Sequence, residues 1–174
     1  MIWIACVAAL CILFVQAQNI QFKLDKNWTL TSRALNIQIH NLDLPVSVHT
    51  ALLGEKLIGD PLFRFNDLNL TWIFQNDDWV FSNHFRVEKF TTPNDSSKIN
   101  FIFDSIDTIA SVYLNGRFLL STNNQFMRYQ AESLNSQLNG DLNLIELFFS
   151  SPTQVASSLA WLYPYREPPS NFNR

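Results

Sequence analysis

The chain has 174 residues, 47% hydrophobic and 14% aromatic, and its 12 Lys+Arg against 15 Asp+Glu leave a net charge of -3. That apolar content excludes a disordered chain, and the length suits one domain burying roughly 68–70% of the surface its unfolded form exposes. An isoelectric point near 5.5 with no run of Lys or Arg excludes nucleic acid as a partner, since that affinity comes mainly from phosphate neutralisation.

The chain opens on an apolar segment from Ile2 to Val15, and no charged side chain occurs before residue 18. It closes with Val15-Gln16-Ala17, short or small residues at -3 and -1, and so reads as a secretory signal peptide over residues 1–17, cut after Ala17. A membrane anchor is the rival reading; the run is shorter than the ~20 residues a spanning helix needs and no Lys or Arg flanks it. With the leader removed, no membrane span is expected. Cys6 and Cys11 both lie in the leader, so mature residues 18–174 carry no cysteine. A disulfide scaffold and a cysteine enzyme are thereby excluded. Three sequons, at Asn27, Asn69 and Asn94, are N-glycosylation candidates that agree with the secretory route.

Along the mature chain the apolar pattern has period two. Ile20, Phe22 and Leu24 alternate with Gln21 and Lys23, and Leu35, Ile37 and Ile39 alternate with polar residues, which predicts two half-buried strands. Between Pro45 and Gly59 the stretch Val48 to Leu53 predicts a short helix ending at Gly54. Trp79, Phe81, Phe85 and Val87 share one parity interrupted by Asn83, and Ile99, Phe101 and Phe103 form another such run. Asn115-Gly116 lies between the apolar pairs Tyr113-Leu114 and Phe118-Leu119 and predicts a hairpin, because a type I′ turn needs positive φ at both central residues. A last strand is expected at Leu144 to Phe149. Short strands separated by Asn, Asp, Ser and Pro clusters indicate an all-β antiparallel sandwich or barrel. Only four glycines occur, so a Gly-rich phosphate cradle is absent.

The sequence contains no nucleophile-elbow, zinc-protease or P-loop pattern, and His40, His49 and His84 are too far apart for a metal-ligand spacing. Neither a metal nor a cofactor is expected. His40 and His84 fall on outward parities, and His49 opens the short helix, where a structural hydrogen bond is its natural role. Asp60, Asp67, Asp77 and Asp78 are interleaved with Phe63, Phe65, Trp72 and Trp79. Rings beside acids can hold a sugar by its apolar face and its hydroxyls, which makes Trp72, Trp79 and Asp67 substrate-binding candidates. The alternative is that the aromatics are core and the acids turn residues, with Asp77-Asp78 a turn leading into a strand.

The run Leu44-Pro45-Val46-Ser47-Val48-His49, then Leu57-Ile58-Gly59-Asp60-Pro61, Arg64-Phe65-Asn66-Asp67, Leu70-Thr71-Trp72 and Asp78-Trp79-Val80-Phe81 resembles the amino-terminal region of β-mannosidases, glycoside hydrolases of family two. The later runs Val112 to Gly116, Asn124 to Tyr129 and Asn143 to Leu147 resemble the same family's hairpin and following strands, and, taken with the signal peptide, the chain most resembles the lysosomal members of animals. The resemblance implies a galactose-binding-like jelly-roll sandwich over 18–174 with one or two short helical turns, its closing strands lying beyond Arg174. It implies a parent enzyme that hydrolyses terminal non-reducing β-D-mannose from oligosaccharides with retention. In the family an immunoglobulin-like domain follows, then a (β/α)₈ barrel holding both catalytic glutamates, against which this sandwich packs. No catalytic residue is therefore expected in this chain, and it alone should be inactive, marginally stable and prone to aggregate. The other reading is a free-standing, non-catalytic sandwich, either a truncated product or a carbohydrate-binding module. Val46 and Leu120 stand where the family often has glycine, which puts two loop conformations in question.

Overall fold

The computed structural model describes residues 21–76, 78–87, 98–134, 137–139, 142–160 and 162. The leader with Cys6 and Cys11, the sequon asparagine Asn94, Asp77 and the stretch beyond Leu162 lie outside the described residues. In chain order the elements are β1 (Trp28–Ser32), β2 (Ile37–Leu42), α1 (Val48–Gly54), α2 (Asn66–Asn69), α3 (Trp72–Gln75), β3 (Trp79–Phe85) and β4 (Lys98–Phe103). There follow β5 (Ala110–Leu114), β6 (Arg117–Thr122), β7 (Tyr129–Leu134), β8 (Asn143–Phe149) and α4 (Pro152–Ala160).

Alternation in the strands decides which side chains meet. In β3 the buried positions Trp79, Phe81, Asn83 and Phe85 alternate with Val80, Ser82 and His84, and β8 and β5 repeat the pattern. Six antiparallel strands pair in the order β2-β1-β3-β8-β5-β6. Their register places Ile39, Leu30, Phe81, Leu147, Val112 and Leu120 in one row across the inner face of all six strands. The second sheet pairs β4 with β7. Phe101 of β4 meets Phe85 of β3 edge-on at 6.2 Å, so the apolar faces of the two sheets share one core. This is the antiparallel jelly-roll sandwich expected from the sequence, with short helical pieces between β2 and β3.

The hairpin forms as expected, with Asn115 at φ 51 and Gly116 at φ 76. A Cβ on Gly116 would meet nothing within 4 Å, so the only obstacle to a side chain there is the left-handed backbone. Gly116→Ala is expected to cost about 1–2 kcal/mol, read as a lower thermal midpoint; an unchanged midpoint would count against this turn. Asn115 also joins the hairpin to β8: its Nδ2 donates to Asn143 Oδ1 at 2.9 Å and its Oδ1 accepts from Leu144 N at 2.9 Å. Asparagine takes much of the role glycine has elsewhere, since four of the six described non-glycine residues with positive φ are Asn27, Asn36, Asn41 and Asn115. Val46 and Leu120 do not adopt positive φ, so neither loop depends on glycine at those positions.

Three expectations are corrected. Residues 21–27 form no strand. Their alternation records packing, with Phe22 6.3 Å from Phe85, but the backbone acceptors are engaged elsewhere: Leu24 O by Trp28 Nε1 and Asp25 O by Leu44 N. Beside them Lys26 pairs with Asp43 at 2.7 Å, and that hydrogen bond and charge raise the lysine above its ordinary pKa. Leu35 lies in the β1–β2 turn, where Asn36 N donates to Arg33 O, and the strand begins only at Ile37. Third, β1, β7, α2, α3 and α4 form where the residue pattern predicts no element, so four short helical pieces replace the one or two expected. β1 and β7 contain few apolar residues, and α4 is a short helix on the surface, started by Pro152 with Ser151 Oγ accepting from Gln154 N.

Candidate functional site

The connection between β2 and β3 is where the chain departs from sheet, and it encloses a surface cavity. It starts from α1, whose first turn is closed by a reciprocal cap: Ser47 Oγ accepts from Thr50 N at 3.1 Å while Thr50 Oγ1 accepts from Ser47 N at 2.8 Å. Ala51 and Leu52 bury the opposite face of α1, which fixes His49 near its start.

After Gly59 the backbone runs through successive three-residue turns, with hydrogen bonds from Phe63 N to Asp60 O, Asn66 N to Phe63 O, Leu68 N to Phe65 O, Leu70 N to Asp67 O and Ile73 N to Leu70 O. In such turns residues three apart align. Leu70 and Ile73 therefore enter the core, whereas Leu62, Phe65 and Leu68 form an outward stripe, 93%, 76% and 50% exposed. Asp60 holds the start of this segment, its Oδ1 accepting from Leu62 N at 2.9 Å and its carbonyl from Asn66 Nδ2 at 2.8 Å.

Between α1 and the α2–α3 segment lies a cavity of about 300 Å³. Pro61, Leu68, Leu70 and Phe74 supply apolar walls, and Asp67, Thr71 and His49 supply the polar groups. Among the described residues the side chains of those three make no hydrogen bond or ion pair. The cavity thus offers a carboxylate, a hydroxyl and an imidazole, all unengaged, above apolar surface.

Of the residues named from the sequence, Asp67 lines this cavity. Trp72 and Trp79 do not: Trp79 is buried in the core with Nε1 donating to Ile73 O at 2.8 Å, and half-buried Trp72 lies against it, ring centroids 6.3 Å apart. Asp78 is a structural anchor, its Oδ2 accepting from Ala34 N at 2.6 Å and Ser32 Oγ at 3.2 Å, which ties the β1–β2 turn to the start of β3. The reading of the interleaved aromatics as core fails for Phe63 and Phe65, which are 57% and 76% exposed; Arg64 stacks over the Phe63 ring at 5.1 Å. His40 and His84 lie outward, and His40 Nδ1 is 3.2 Å from Thr29 Oγ1. Asn27 and Asn69 are exposed. Among the described residues no group of three or more His, Cys, Asp or Glu gathers as a metal site would, and no helix is long and apolar enough to cross a membrane. Phe74, Thr71 and Pro61 were not singled out from the sequence as site residues, because only the fold of the turn segment brings them beside His49.

A family model described as glycosyl hydrolase 2 galactose-binding domain-like matches residues 28–174. The beta-mannosidase of Rattus norvegicus is 32% identical over 162 residues, 92% of this chain and 18% of that protein. That of Bos taurus is 31% identical over 156 residues, 86% of this chain and 17% of its own length. The crystal structure of a beta-D-mannosidase from Dictyoglomus thermophilum superposes with a TM-score of 0.72 at 29% identity, covering 83% of this chain and 17% of that one. The chain thus spans less than a fifth of the length of each of these three relatives. The family match over most of the chain, with the same sandwich in a solved relative, places it: the chain belongs to the galactose-binding-like domain family of the family 2 glycosyl hydrolases.

Proposed function

We propose that this chain is the amino-terminal sandwich of a β-mannosidase that removes terminal non-reducing β-D-mannose from oligosaccharides with retention. The observation that carries this reading is the agreement of sequence and fold on one enzyme type, the rat protein at 32% identity and the Dictyoglomus structure at a TM-score of 0.72. Retaining hydrolysis needs two carboxyl groups flanking the scissile bond, about 5–5.5 Å apart. In this reading they belong to a barrel outside residues 18–174, and the sandwich packs on that barrel and on an immunoglobulin-like domain. The exposed stripe Leu62, Phe65 and Leu68 suits such packing, since large apolar patches mark contact surfaces. Delivery through the secretory pathway to the lysosome, with residues 1–17 as leader and glycans at the exposed Asn27 and Asn69, belongs to the same reading.

The purified 174-residue chain is expected to release no chromophore from a chromogenic β-mannoside above the buffer rate, and the transcript is expected to continue past the codon for Arg174 in an open frame. Turnover by the chain alone, or a stop codon there, would sink the proposal.

A further inference from the structure

We infer that Asn115 is a fold-gated deamidation site, closed in the native hairpin and opened when β5 and β8 separate. The chemistry belongs to the turn itself and is independent of the family. The chain holds two Asn-Gly pairs, Asn115-Gly116 and Asn139-Gly140, and glycine has no side chain to screen its backbone nitrogen. In the reaction the Gly116 nitrogen attacks Asn115 Cγ. A new N–C bond forms, and the Cγ–Nδ2 bond breaks as ammonia leaves with the glycine's amide proton, closing a five-membered succinimide. Water then opens either carbonyl of that ring, leaving aspartate or isoaspartate at 115. The net exchange is one water taken up for one ammonia released, with no redox change.

The fold treats the two asparagines in opposite ways. At Asn115 both polar atoms of the amide are held: Nδ2 donates to Asn143 Oδ1 at 2.9 Å and to Gln137 O at 3.2 Å, and Oδ1 accepts from Leu144 N at 2.9 Å. The backbone is held as well, Asn115 N donating to Leu144 O at 2.8 Å. Cγ cannot swing onto Gly116 N unless all three side-chain bonds break, and Asn143 is 1% exposed, so water does not take over the acceptor it offers. Asn139 is exposed, and its side chain makes a single bond, Nδ2 to Leu142 O at 3.3 Å. Reaction at 115 is also one-way for the fold. A carboxylate there turns an acceptor-only oxygen toward Asn143 Oδ1 and Gln137 O, which are acceptors themselves. Isoaspartate adds a methylene to the main chain of a turn whose length sets the register of β5 on β6.

The test follows ammonia loss at each asparagine by peptide mass spectrometry of the full chain held at mildly alkaline pH, in buffer and in urea. In buffer Asn115 is expected to react about tenfold or more slowly than in urea, as for chemistry confined to an opened state, while Asn139 reacts at nearly the same rate in both. Equal rates at Asn115 would overturn the gate, and so would protection of Asn139 as strong as that of Asn115, since the bonds to Asn143, Gln137 and Leu144 would then not be its cause. Asn143→Ala removes one Nδ2 bond and is expected to raise the rate at Asn115 in buffer severalfold; an unchanged rate would overturn the network as the gate. Graded urea on the wild-type chain gives the same answer without a variant: the Asn115 rate should climb in step with amide exchange at Leu144, and a rate that stays flat as that exchange quickens would overturn the proposal. The product form Asn115→Asp is expected to unfold about 3 °C or more below the wild type, and an unchanged midpoint would show that the step is not one-way.

Discussion

Replacing Leu30 by alanine is expected to destabilise the sandwich by about 3–5 kcal/mol, the range for truncating a fully buried leucine. Leu30 is 0% exposed and pairs in register with Ile39 on one side and Phe81 on the other. It therefore sits near one end of the inner row that runs across all six strands. Its loss removes apolar burial and leaves a cavity between two strands that cannot collapse without breaking their ladder. For a domain of this size that is about 10 °C in the thermal midpoint. Gln38→Ala, on the exposed face of the neighbouring β2, should stay within about 0.5 kcal/mol. A Leu30→Ala chain that unfolds with the wild-type midpoint would show that β1 is not part of the core.

The second large effect is expected at Asn143, which is 1% exposed on the inner face of β8. Its Oδ1 accepts from Asn115 Nδ2 at 2.9 Å and from Asn139 N at 2.8 Å. Removing the acceptor leaves one N–H of Asn115 Nδ2 unpaired, the other still reaching Gln137 O at 3.2 Å, and frees Asn139 N; with the lost packing of a buried side chain, Asn143→Ala should lose about 1–3 kcal/mol. Because Asn115 is also the first residue of the hairpin turn, part of the loss should appear as loosened pairing between β5 and β8, visible as faster amide exchange at Leu144. Asn143→Leu keeps the branched shape and the number of heavy atoms, adds bulk and removes the polarity, and is expected to be at least as destabilising as alanine. If leucine instead matches the wild-type midpoint, the amide network contributes nothing and the position needs only bulk.

The candidate site was legible only in part. Asp67 stood out as an acid among aromatics and does line the cavity. Trp72 and Trp79 carried the same signal, yet Trp79 fills the core, because a ring's place in sequence says nothing about which side of a turn it will face. The outward turn of Phe63 and Phe65 follows from the three-residue periodicity of residues 60–73. That periodicity is set by the chain of i to i+3 backbone hydrogen bonds, started by Asp60 and Asn66. The cap of α4 is present as Ser151-Pro152 followed by Gln154, and β1 as the alternation of Trp28, Leu30 and Ser32; neither stands out in the sequence, because each contains few large apolar residues.

Local pattern was enough to place the strands whose alternation is strong, the Asn115-Gly116 hairpin and the short helix at Val48, and the motifs were enough for the family and sandwich class. These are local properties: side-chain period and turn chemistry act within a few residues of chain. The folded chain settled the rest. It showed that Phe22 and Leu24 pack without pairing, that weakly apolar β1 and β7 become strands because β3 and β4 offer partners, and that Asp67, Thr71 and His49 converge on one cavity. Pairing partners and the side chains that meet across a turn are set by contacts between residues far apart in sequence, and no periodicity records them.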